Sequence, residues 1–186
     1  MKIKILKKCE ISKLTKFTYE IYKKKFNNSP SKEDYFFMEM KDKKAAERGY
    51  AIAAYNNSNQ MIGGVIISRY SEGEIPTEYL YKVDLKKFMK ENNLHPLNAW
   101  HISRLTINDK RLSLLSFMKL SIELASIGSE RPFFFHECDK WLINHLEKKY
   151  GWNTRIIGEG KMDLGTVSYP LYISSNELIN FYKKIK

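Results

Sequence analysis

A single arginine constrains this chain more than any other residue. Arg104 stands inside Asn98-Ala99-Trp100-His101-Ile102-Ser103-Arg104-Leu105-Thr106-Ile107-Asn108. That run is dense in aromatic and aliphatic side chains and reads as a buried strand. Strand alternation puts His101 and Ser103 on one face and Arg104 on the other. An unpaired guanidinium taken out of water costs several kcal/mol, so the fold must give Arg104 a partner. Two partners meet the requirement: a carboxylate of the protein, forming a core ion pair, or a ligand.

The 186 residues suffice for one domain, 1–186, with a substantial core. With 43% hydrophobic and 13% aromatic residues, the composition excludes a disordered chain. No run reaches the roughly 18 apolar residues of a membrane helix, and no apolar signal region follows the basic N-terminus. The expectation is a cytoplasmic protein with no integral membrane segment. Cys9 and Cys138 lie far apart, which argues against a disulfide framework and for two reduced thiols.

The formal net charge is +11. Only six of the 32 basic residues are arginine. A lysine excess of this kind follows from genome composition, or serves an acidic partner. Base and phosphate recognition leans on arginine forks, so no nucleic-acid partner is expected. A basic module binding nucleic acid or an acidic protein is the alternative reading.

Lys2 to Cys9 reads as a first strand near a sheet edge. Ser12 is placed to cap a helix with Leu14, Phe17 and Ile21 inward. Asn27-Asn28-Ser29-Pro30 breaks it. A second helix starts near Ser31 and runs through Phe36, Phe37 and Met40 to a stop at Gly49. Tyr50–Tyr55 and Met61–Tyr70 form a hairpin around Asn56-Asn57-Ser58-Asn59. Gly63-Gly64 allows a bulge there, or a close approach. Asp84 caps a short helix before the central strand. Asp109 introduces a long helix whose wide apolar stripe includes Met118, Ile122 and Ala125. Phe133–His136 is a short apolar strand, and Asp139–Tyr150 a helix ended by Gly151. Trp152–Ile157 and Val167–Ile173 close the sheet, and Asn176 caps a last helix. This order implies an α/β fold, a mixed sheet flanked by helices. Trp100, Trp141 and Phe133–Phe135 read most simply as core; beside a long acyl substrate, some would line its tunnel.

The order resembles the GNAT acyltransferase superfamily and its twisted mixed sheet. Within it, the chain is similar to acyl-homoserine-lactone (autoinducer) synthases and long-chain N-acyl amino acid synthases. Tyr22–Phe26, Ile75-Pro76-Thr77-Glu78 with Asp84-Leu85, Trp100 with Ile102-Ser103-Arg104, and Gly151-Trp152 with Gly158, Gly165 and Pro170 carry the likeness. The resemblance implies an N-acyltransferase that moves an acyl group from a thioester to a primary amine, for instance an amino acid. It implies substrate contacts from Phe26, Trp100, Ser103 and Thr106, with His136 added from the strand that follows. Arg104 would hold an acceptor carboxylate or organise the site.

Several positions depart from the family pattern. His101 stands where a glutamate is common. The expected arginine of the preceding strand falls at Ile66 or Ile67, with Arg69 a substitute only after a register shift. Asp109-Lys110-Arg111-Leu112-Ser113 lacks the glycine-rich pyrophosphate loop, although Lys110 and Arg111 at a helix start still suit a phosphate. The missing glycines favour an acyl carrier protein over acyl-CoA as donor, and an acidic carrier would give the lysines a use. No permanently bound cofactor is expected.

Acyl transfer needs a neutral amine and a stabilised oxyanion. An imidazole titrates near about 6.5, which suits His101 as the base. His136 and Glu137 form an alternative acid/base pair, and Cys138 a less favoured nucleophile. The histidine spacing does not match a zinc motif, so no metal is expected.

Overall fold

The computed structural model describes residues 1–25, 30–109, 114–151 and 153–184. These fall into two compact units, each assembled from separate stretches of chain. The first holds Met1–Ser68, Ile102–Ser121 and Leu164–Thr166; the second holds Arg69–His101, Ile122–Asp163 and Val167–Lys186.

In the first unit, β1 (Lys2–Ile5) pairs antiparallel with β2 (Gly49–Tyr55), and β2 with β3 (Met61–Arg69). β1 is the edge, as the lysine-rich alternation implied. Asn59, at φ 58°, makes the hairpin turn; Asn and Gly tolerate this region best. β4 (Ala99–Ile107) is the next strand after β3 in the sheet, and the Asn108 N–H donates to the Ile62 carbonyl just beyond its end.

Helices α1 (Ile11–Lys25) and α2 (Lys32–Glu47) pack on one another, with Tyr19 edge-on to Tyr35 at 5.2 Å. The Ser31 hydroxyl accepts from the Asp34 N–H while the Asp34 carboxylate accepts from the Ser31 N–H, a reciprocal cap that starts α2 where expected. Ser12 is not a cap: α1 begins one residue earlier, and the Ser12 hydroxyl donates to Glu39. Gly49 is not the helix stop either. Arg48 closes α2, and Gly49 opens β2, where a Cβ would lie 2.0 Å from the Ile67 carbonyl oxygen. Gly64 answers the question posed by the Gly63-Gly64 pair. A Cβ there would lie 2.2 Å from Leu14 Cδ1, so helix and strand meet at this point. The register shift lies one pair further on, between Ala54 and Tyr55, opposite Gly63 and Met61. Leu6, Ile11, Leu14, Ala51, Ala53 and Ile66 form this unit's core.

In the second unit, β5 (Phe133–Asp139) follows β4 in the sheet order. β5 pairs antiparallel with β8 (Thr166–Ile173), which also carries β6 (Arg155–Ile156) and β7 (Lys161–Asp163). Two short helices, α3 (Pro76–Tyr79) and α4 (Leu85–Glu91), precede β4. Asp84 caps α4 through the Lys87 N–H, as the sequence implies, whereas α3 is a single turn, too short for a helical period to show in the sequence. Ile75, Leu85, Met89, Ala99, Phe133 and Phe135 form one core cluster. Phe88, Phe133, Phe135 and Tyr172 stack edge-on within it.

The strand at Phe133 runs further than its apolar letters, through to Asp139. Asp139 is the N-cap of α6 (Lys140–Tyr150), bonding the Leu142 N–H, and Gly151 ends that helix at φ 60°. Trp141 is not core: it is 70% exposed and stacks on His145 at 5.3 Å. Ile143 and Leu146 supply the inward face of α6, and Trp141 lies off that face. The described part of the long helix, α5 (Leu114–Ser126), buries Phe117, Met118, Ile122, Leu124 and Ala125. In α7 (Ser175–Lys184) the cap is Ser174, whose hydroxyl accepts from the Glu177 N–H, not Asn176. No helix among the described residues is long and apolar enough to cross a membrane.

Candidate active site

The second unit gathers a buried polar cluster around Glu137 of β5. His101 on β4 places Nε2 at 2.9 Å from Glu137 Oε2, with both side chains under a tenth exposed. The Thr77 hydroxyl of α3 donates a short hydrogen bond to Glu137 Oε1. Each carboxylate oxygen therefore has a partner on a different element. Burial pushes the Glu137 carboxyl up, but His101, then Thr77 and His136, outweigh it and hold the group below the usual carboxylate range. An ionised Glu137 takes the Nε2 proton of His101 as a hydrogen bond, which leaves Nδ1 as the acceptor nitrogen.

His136 precedes Glu137 on the strand and so projects to the other face. It is buried, and its Nε2 has no hydrogen-bond partner among the described residues. Burial is the main cause that lowers its pKa to about 4, with Glu137 opposing and His101 adding to the effect. His136 is therefore neutral at neutral pH. The hydrogen bond to Glu137 comes from His101, not from His136 Nε2. The Cys138 thiol is pushed well up by burial, then by Asp139 and Glu137, which is the opposite of what a nucleophilic thiolate needs. Tyr81, buried nearby, has its hydroxyl raised by burial, then by Asp163 and Glu137.

Trp100 is buried, and its Nε1 donates to the Ser129 hydroxyl at 3.0 Å. Arg69 lies over the indole at 4.8 Å and donates to the carbonyls of Leu97 at 2.7 Å and Gly128 at 2.6 Å. Arg69 thus ties the turn before β4 to the loop between α5 and β5. His95 caps the turn that follows it, its Nδ1 accepting from the Leu97 N–H.

Arg104 belongs to the first unit, and its partner there is a protein carboxylate. Its Nε donates to Asp42 Oδ1 of α2 at 2.8 Å. The Thr15 hydroxyl of α1 donates to the other oxygen, Oδ2, at 2.7 Å. Asp42 is almost fully buried, and Arg104 keeps 15% of its side chain exposed. Arg104 has φ 56°, in the left-handed region, inside a strand. Period-two alternation therefore cannot be carried through this residue. Thr106 is buried, its hydroxyl without a partner among the described residues, and Ser103 is half-buried. Phe26, Lys110 and Arg111 lie outside the described residues. Thr77 was legible only as part of a resembling motif, because its role comes from Glu137, 60 positions away.

Among the described residues no group of three His, Cys, Asp or Glu side chains could hold a metal ion. Both cysteines are free. The described cavity of about 240 Å³ lies elsewhere in the first unit, lined by Met1, Asn56, Asn57, Ser58, Ile62 and Asp109.

The mixed sheet flanked by helices is that of the GNAT-type acyltransferase fold. Within that fold the chain is similar in structure to the AHL synthase LasI, with TM-score 0.67 over 98% of this chain and 94% of that one, at 15% identity. It is similar also to FeeM, an N-acyl amino acid synthase from uncultured soil microbes, with TM-score 0.60 over 97% and 98% of the two chains, at 12% identity. An acetyltransferase of the GNAT family from Staphylococcus aureus Mu50 gives TM-score 0.59 over 92% and 98%, at 14% identity. No protein-family model matches the sequence, and no curated protein matches it.

Proposed function

We propose that the protein is an N-acyltransferase that moves an acyl group from a thioester to a primary amine, with His101 and Glu137 as its base. The observation that carries this reading is the buried His101–Glu137 pair at 2.9 Å. A second support is the fold it shares with an AHL synthase and an N-acyl amino acid synthase. Histidine takes the position where the resembling family commonly has glutamate; here the glutamate is supplied by the next strand.

In this mechanism Glu137 fixes the imidazole tautomer and stabilises the imidazolium that forms. His101 Nδ1 removes a proton from the acceptor ammonium, directly or through one water. The neutral amine then attacks the thioester carbonyl and a C–N bond forms. The tetrahedral intermediate then collapses: the C–S bond breaks, a second N–H proton of the former amine passes to the departing thiolate, and His101 releases the proton it took to solvent. Thr77 orients Glu137. Transfer is direct, since a thiol pushed up as Cys138 is makes a poor nucleophile.

Of the residues the resemblance names, Trp100, next to His101 in the second unit, is proposed to contact the substrates. Arg104, tied to Asp42, is a positioning residue on the strand that carries His101. The donor is an acyl thioester. The absence of a glycine-rich loop and the lysine excess support a carrier protein bound near Lys110 and Arg111. An amino acid is the proposed acceptor, and the cytoplasm the proposed compartment.

Purified protein is to be offered acyl-CoA and acyl carrier protein thioesters with a panel of amino acids, and the products read by mass spectrometry. N-acylated amino acids or lactones are expected, with carrier-protein thioester the better donor. No acylated amine from either donor overturns the reading.

A further inference from the structure

Helix α2 faces inward with Tyr35, Met38, Asp42, Ala45 and Ala46, which its unit covers wholly or in part. Its other face is also apolar. Phe36 is 67% exposed, Phe37 46% and Met40 48%. At 3.6 residues per turn these three share one side of the helix, and Lys32, Lys41 and Lys44 fall around them. Lys41 reaches back over the Phe37 ring at 5.6 Å. Of the five acids of the helix, four are turned to bonds within the unit; the fifth, Glu33, is exposed beside Lys32 on the same side as Phe36. Asp34 caps Ser31, Glu39 meets Ser12 and Lys43, Asp42 holds Arg104, and Glu47 pairs with Lys8. The adjoining last turn of α1 adds Lys23, Lys24 and Lys25. Aromatic and thioether side chains ringed by lysines are the pattern of a helix lying in a bilayer interface.

We propose that the exposed face of α2, with Phe36, Phe37 and Met40 framed by Lys32, Lys41 and Lys44, docks this protein onto an anionic lipid surface. Charge complementarity selects that occupant: a lysine-ringed apolar face meets both the headgroups and the acyl boundary of such a membrane. The inference rests on the surface of α2 alone and stands whether or not the transferase reading does.

The test is co-sedimentation of the full chain with phosphatidylcholine vesicles containing about a third phosphatidylglycerol, against pure phosphatidylcholine. Binding is expected to the anionic vesicles only, and to weaken with added salt. A Phe36→Ser/Phe37→Ser variant is expected to lose about tenfold or more in partition. Lys32→Glu/Lys41→Glu/Lys44→Glu is expected to lose at least as much. Both act at the surface, and circular dichroism melts check that they fold. Absence of binding by the native chain overturns the proposal. So does binding that survives the phenylalanine changes, which would assign it to net charge. Sedimentation velocity supplies the last arm: a dimer abolished by the same phenylalanine changes would give this face to a second copy and overturn the lipid assignment.

Discussion

His101 Nε2 and Glu137 Oε2 stand 2.9 Å apart on neighbouring strands, both largely buried, with Thr77 holding the opposite carboxylate oxygen. If this pair is the base, removing either member should lower turnover by about 10²- to 10⁴-fold. His101→Ala and Glu137→Gln are to be compared with the native chain in kcat for amine acylation. A His101→Ala enzyme with native kcat would take the residue out of the mechanism.

Thr77 tunes the same carboxylate. Its hydrogen bond lowers the Glu137 pKa, so Thr77→Val should raise it. The activity needs Glu137 ionised, and the acid limb of kcat/KM should therefore move to higher pH in the variant. An unmoved limb would mean that Glu137 does not govern the rate.

His136 couples stability to pH. Its pKa is lowered to about 4 in the folded chain, against about 6.5 for an unfolded histidine. Between these values the unfolded state binds more protons, so stability is present above about pH 6.5 and drains away as pH falls towards 4. This one group should remove about 2 kcal/mol between pH 7 and pH 5. Urea unfolding at the two pH values should show a smaller drop for His136→Leu than for the native chain. Equal drops would sink the assignment.

Asp42 and Arg104 should fail asymmetrically. Asp42→Ala strands a guanidinium that keeps 15% of its side-chain exposure, and should destabilise by about 3 kcal/mol, the lower end for a broken buried pair. Arg104→Lys keeps the charge but loses the planar fork, so it should restore only part of the stability. Denaturant midpoints measure both, and a native midpoint in Asp42→Ala would show the pair to be ornamental.

Cys9 is exposed and Cys138 buried, with its thiol pushed up. Brief iodoacetamide treatment of the folded chain should therefore add one label, on Cys9, by intact mass. Cys138→Ser should keep native turnover, because no covalent intermediate is proposed there. Loss of turnover in a well-folded Cys138→Ser chain would reopen the cysteine route.

Much of the fold was legible in the sequence wherever its cause was local. The caps at Ser31, Asp84 and Asp139 each close on an N–H three residues away. The Asn59 turn and the Gly151 stop depend on the backbone freedom of one residue. Arg104 in an apolar strand demanded a partner, because desolvation of a charge depends on residue type alone. Which partner it has did not follow from the sequence. Arg104 meets Asp42 across 62 positions, His101 meets Glu137 across 36 and Thr77 meets Glu137 across 60. Such pairs depend on strand register and on the left-handed turn at Arg104, and no local preference encodes either. The same limit explains Trp141 and Phe36, whose apolar character says that burial would be favourable but not that the fold supplies a neighbour. The sequence determined the elements and the need for a buried charge to be answered. The packing of those elements decided which carboxylates answered it, because only tertiary structure brings distant side chains within hydrogen-bond reach.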